Sequence, residues 1–218
     1  MKCDKCGREL EEGEVCACKF KHDFKFKDNI LGLKDIFLNP SSSLKKYSEE
    51  GNFNFSLIFV LVLSVLSGLF GMLFVKETLA VPVNNFLGYA VSYNIDYFRI
   101  FINIFISIWS GFILLSLLIY LFFGKVFKLD INFKNSFNIV TGNFVYFGLA
   151  LVLSFLFIFV NVWFVYIFAV LAFVLFVLTL ALFFRESYDL KDYKCIYGIL
   201  GTLMSFFVII LLIYKILN

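Results

Sequence analysis

The sequence predicts an all-α integral membrane protein: a five-helix transmembrane bundle, preceded by a small cysteine-bearing β piece and short interfacial helices. Three observations carry this. The run from Phe144 to Phe184 is 41 residues long and uncharged, with Asn161 near its middle. A single helix of that length would reach roughly 60 Å, whereas a hydrocarbon core of about 30 Å takes about 20 residues to cross. The run therefore reads as two spans joined by a tight turn at Asn161 to Trp163. Composition agrees, at 61% hydrophobic, 16% charged and a mean hydropathy of +0.92; soluble domains run nearer half apolar and a quarter charged. Finally, sixteen of the nineteen Lys and Arg fall on one side once the spans alternate.

Residues 1–28 differ from everything after them. Cys3-Asp-Lys-Cys6-Gly7 is followed, nine residues on from Gly7, by Cys16-Ala-Cys18. Two close Cys pairs flanking a short loop set four thiolates around one tetrahedral zinc. Gly7 lets the backbone curl so that its amides face the sulfurs. The acidic loop Glu9 to Glu14 reads as the turn between two knuckles. A piece this small buries little core, so a structural zinc, one per chain, supplies most of its folding free energy. The head resembles a zinc ribbon. Its departure is the second pair, C-x-C in place of the usual C-x-x-C, which leaves Cys16 or Cys18 open as a ligand and makes His22 the reserve. A disulfide pair or unrelated thiols are the other readings.

Lys19 to Lys27 alternates aromatic and basic residues, a period of two that suggests the closing strand of the head. It would also serve as a basic, aromatic patch on an anionic lipid surface. Residues 29–54 read as a linker with interfacial helices. Ile30, Leu31, Leu33, Ile36, Phe37 and Leu38 fit an amphipathic helix ended by Asn39-Pro40. Ser41 to Ser43 cap a second one carrying Leu44 and Tyr47. Both suit the plane of the interface better than a crossing.

The membrane domain, residues 55–218, holds spans at about 55–75, 100–123, 139–160, 162–184 and 196–217. Each is about 20 residues or slightly more. The first apolar run begins only near Phe55, so the first span is expected to act as an uncleaved anchor. The basic residues place the N-terminus in the cytoplasm and the C-terminus outside the cell membrane, and a reducing cytosol suits a thiol-rich metal site. Ser64 and Gly68, Ser67 and Gly71, Ser107 and Gly111, and Gly201 and Ser205 stand four apart, a spacing that lets helix backbones approach. It suits packing within the chain and would also suit a homo-oligomer face. Lys76 to Asp96, with Tyr89 and Tyr93, reads as an outer loop with interfacial anchors. Cys195 reads as a small packing residue.

This layout, with "LKDIFLNPSSSLKKY" before the membrane, the near-continuous third and fourth spans and "RESYDLKDYKCIYGILG" before the last, resembles the YIP family, named for interaction with Ypt/Rab GTPases in eukaryotes. The resemblance covers about Leu33 to Leu217 and rests on layout and a loose pattern. With the zinc-ribbon-like head it looks like a bacterial or archaeal member. It implies membrane residence and carries over no catalytic residue.

Enzyme chemistry is not expected. The sole His lies in the head, the spans hold no Asp or Glu, and no H-E-x-x-H, G-x-S-x-G or phosphate loop is present. A transporter for an uncharged solute is the alternative, with Asn103, Thr141, Asn143 and Asn161 as a polar path; their ordinary role is interhelical hydrogen bonding. The leading expectation is a scaffold or adaptor whose head contacts a cytosolic protein or the lipid surface. Ten basic and ten acidic residues balance over positions 1–56, which does not favour nucleic acid. Purified full-length chain should contain one zinc per chain by metal analysis, and that zinc should be lost in Cys3→Ser and Cys6→Ser; a zinc-free wild type overturns the site.

Overall fold

Lipid offers a backbone amide no partner, so long apolar runs close their hydrogen bonds internally as helices. The computed structural model describes residues 26–80 and 95–217, and among these no residue is in a strand. The helices are α1 (Phe26–Leu38), α2 (Pro40–Glu50), α3 (Phe53–Ala80), α4 (Tyr97–Ile119), α5 (Phe133–Asn143), α6 (Val145–Phe157), α7 (Trp163–Tyr188) and α8 (Asp192–Leu217), with a π-helical turn, Tyr120–Val126, continuing α4. Among the described residues five helices are long and apolar enough to cross a membrane: Phe53–Thr78, Tyr97–Val126, Phe133–Phe157, Trp163–Tyr188 and Asp192–Ile213. The third is α5 and α6 together, with a local irregularity at Phe144, where ψ is −2°.

Five such helices, running alternately up and down, give the bundle two ends. One carries α1, α2, the π-helical turn and the start of α5; the other carries the turn between α6 and α7. At that turn the Asn161 side-chain oxygen accepts from the Trp163 amide at 2.9 Å, and Val160 and Trp163 are exposed. The charge-free run is therefore a helical hairpin. Helix α3 packs on α4, α6 on α7, and α8 on both α4 and α7. Small residues make the close approaches: Gly68 and Gly71 lie under Phe101 and Ile104 of α4, and Gly201 lies under Phe122.

The third span starts at Phe133, ahead of the apolar run, with Asn132 capping it by accepting from the Asn135 amide at 2.8 Å. Ser136 to Asn143 are all buried. Helix α5 is thus enclosed although its sequence is half polar.

The helices before the membrane are fastened to the bundle. Leu33 and Ile36 of α1 and Leu44 and Tyr47 of α2 are buried, with α2 lying on α5 and α7. Leu31, Phe37 and Leu38 stay exposed, an apolar edge suited to the interface. Two local expectations are corrected. Phe26 and Lys27, assigned to a closing strand, form the first turn of α1, because Phe26, Ile30, Leu33 and Phe37 recur at helical spacing. Pro40, not a serine, opens α2, since its fixed φ suits the first helical position and Asn39 makes no side-chain cap. The remainder of that strand, and loop residues 81–94, lie outside the described residues.

Gly142 sets how closely the pair sits. A Cβ there would meet Leu44 Cδ1 at 2.7 Å and Ile36 and Tyr47 side-chain atoms at 3.1 Å each. Gly142→Leu should therefore lower stability by about 1–3 kcal/mol, the usual cost of overpacking. Unfolding in mild detergent measures this, and an unchanged midpoint would show that α1 and α2 are not tightly seated.

Candidate functional site

Buried polar groups require partners, and among the described residues one group of them gathers around α5. Ser48, Ser56, Ser136, Asn138, Thr141 and Asn143 are all fully buried. Asn138 is the centre. Its amide nitrogen donates to the Gly51 carbonyl at 3.1 Å and the Ser48 carbonyl at 3.4 Å. Those oxygens can only accept, so the Asn138 side-chain oxygen faces the Ser56 hydroxyl and accepts from it at 2.8 Å. Ser56 has no second proton. The Tyr47 hydroxyl, 2.9 Å away, therefore donates to Ser56. The chain Tyr47 to Ser56 to Asn138 ties the end of α2 and the start of α3 to α5.

Gly51 is required at this corner, because a Cβ there would overlap the Tyr47 carbonyl oxygen and stand 3.2 Å from the Asn138 amide nitrogen. Two weaker ties reinforce the mount: Lys45 Nζ donates to the Ser187 carbonyl and Tyr146 to the Ile36 carbonyl, each at 3.4 Å.

Further along α5, Asn143 donates its amide to the Phe176 carbonyl at 2.8 Å, joining the third span to α7. The Asn143 side-chain oxygen, the Thr141 hydroxyl and the Trp109 indole nitrogen are buried without a partner among the described residues. Beside Phe176 lies a cavity of about 240 Å³ between α4, α6, α7 and α8, walled by Phe112, Leu115, Phe144, Phe147, Phe176 and Phe206. Phe112 and Phe144 stand 4.2 Å apart by ring centroids, and Phe176 meets Phe144 edge-on at 5.3 Å.

Of the residues singled out from sequence, Cys3, Cys6, Cys16, Cys18 and His22 lie outside the described residues. Among the described ones no group of three or more His, Cys, Asp or Glu is placed to hold a metal. The four polar-path residues do not come together: Thr141 and Asn143 are buried in α5, whereas Asn103 and Asn161 are exposed. Cys195 is buried, its thiol 3.3 Å from the Ala181 carbonyl. The Tyr47, Ser56 and Asn138 cluster was not singled out. Asn138 stands just ahead of the apolar run, where an amide reads as part of a loop, and nothing local says that a partner stands 82 residues away. No family model, curated protein or solved structure matches this chain.

The network is neutral and holds its protons. Burial pushes the Tyr47 hydroxyl up to about 12 from 10.0, against a smaller lowering by the Ser56 hydrogen bond. It therefore serves as a clamp and not as an acid or base near neutrality. A folded-state pKa above the unfolded one gives stability that is complete below about pH 10 and is lost as pH rises through about 12. Tyr47→Phe should lower stability by about 0.5–1.5 kcal/mol at neutral pH and should flatten the alkaline decline. Unfolding midpoints of both proteins across that range test this, and parallel declines would remove Tyr47 as the cause.

Proposed function

We propose that this chain is a non-enzymatic integral membrane scaffold or adaptor of the YIP type. Its head holds a structural zinc and contacts a cytosolic protein or the lipid surface. The observation that carries the reading is the mount: α2 and the start of α3 are fastened to α5 through Tyr47, Ser56 and Asn138, and α1 is held by the Tyr146 hydroxyl on the Ile36 carbonyl. A segment preceding α1 then leaves the bundle from a fixed point. An adaptor needs that attachment, because a rigid base fixes where its binding surface stands.

The placement of charge supports a cytoplasmic N-terminus and an outward C-terminus in the cell membrane. Lys34, Lys45, Lys46, Lys125, Lys128, Lys134, Arg185, Lys191 and Lys194 are exposed and lie at the end of the bundle that carries α1 and α2. Among the described residues no Asp, Glu, Lys or Arg is buried, whereas ion-coupled carriers keep such charged groups at that depth. The alternative, transport of an uncharged solute, draws on the unpartnered Thr141 hydroxyl and Asn143 oxygen.

Photocrosslinkers placed at Phe20 and Phe24 of the full-length chain in intact cells separate the two. Capture of a discrete cytosolic partner, abolished by Cys3→Ser, supports the adaptor. Solute movement in vesicles that is lost in Asn143→Ala, without any head crosslink, supports transport instead. A reporter fused after Asn218 should report the outer side.

A further inference from the structure

The cavity beside Phe176 is not used by the adaptor reading, and its depth says what it meets. Its lining comes from Ser107 to Leu115, Phe144 to Phe147, Phe173 to Phe176 and Leu203 to Phe207. Each of these segments falls at the middle of its span. The cavity therefore lies near the bilayer midplane, where methylene and methyl groups are the solvent. It has a floor and a mouth. Phe112, Leu115 and Phe176 are buried, whereas Phe173 is 40% exposed and Phe207 is 51% exposed on the outer surface of the bundle.

We propose that this cavity holds one acyl chain of a membrane lipid, inserted sideways between α7 and α8. Its volume of about 240 Å³ exceeds the roughly 150 Å³ at which a pocket lined by Leu, Ile and Phe stays dry and takes an apolar guest. Water needs two to four polar partners, and the only hydroxyl in the lining belongs to Ser107. A helix of a second copy, about 10–12 Å across with its side chains, is too wide to enter. A single hydrocarbon chain has the shape and the chemistry, and is the species present at that depth. The Asn143 bond to the Phe176 carbonyl keeps the floor in place.

Gly111 supplies a variant that fills the space without disturbing the fold. A Cβ there meets only Phe206 Cζ, at 3.8 Å, an ordinary contact. The full-length chain is reconstituted in phosphatidylcholine vesicles in which a fraction of the lipid carries a photoactivatable diazirine near the end of one acyl chain. After irradiation, the labelled residues are mapped by peptide mass spectrometry. Label is expected on the floor, at Phe112, Leu115 and Phe176. In Gly111→Leu it should fall by roughly tenfold, equivalent to about 1.4 kcal/mol, while outward-facing Leu171 and Leu211 label as before. Should Gly111→Leu not fold, Ser107→Leu, at an exposed position of the lining, makes the same comparison. A floor that stays unlabelled in the wild type, or labels equally in the filled variants, overturns the proposal.

Discussion

The amide of Asn138 fixes the rest. It is fully buried at the start of a membrane span, and a buried polar group left without partners costs about 1–3 kcal/mol. All of its bonds come from outside its own helix: the carbonyls of Ser48 and Gly51, and the hydroxyl of Ser56. The α2–α3 corner must therefore close over α5 before that requirement is met. Hydrogen bonds between membrane helices are individually worth only about 0.6 kcal/mol on average, so they do not hold the bundle together. They select which surfaces meet, and apolar contact supplies most of the cohesion.

Aromatic rings form one part of that contact. Phe123 stacks on Phe184 with ring centroids 3.5 Å apart, and Gly198 lies against Phe123 and Phe127. The π-helical turn brings these rings to α8: Phe127 donates its amide to the Phe122 carbonyl, one residue further back than an α-helix allows. Gly124 permits it, since a Cβ there would stand 2.9 Å from the Ile131 carbonyl. Ser64, Ser116 and Thr202 meet their own needs by bonding carbonyls four residues back, at 2.7 to 2.8 Å. They spend no interhelical contact on polarity.

How much of this was legible in the sequence depended on whether the signal was local. Five apolar helices, and the hairpin in the charge-free run, follow from hydropathy and length alone. The start of the third span did not, because Lys134, Asn135, Ser136 and Asn138 look like a loop when their partners are not visible. The opening of α2 by Pro40 was local too, yet three serines beside it offered a competing cap. The mount was illegible for a different reason. Tyr47 and Ser56 are close in sequence but unremarkable, and their meeting with Asn138 is a property of the assembled bundle.

The neutrality of the interior has an electrical consequence. A membrane potential does about 2.3 kcal/mol of work per 100 mV on each elementary charge carried across the bilayer. Among the described residues no Asp, Glu, Lys or Arg is buried, and the charged residues of the candidate spans stand near their ends. A membrane potential therefore finds no buried side-chain charge to work on in the interior of this bundle.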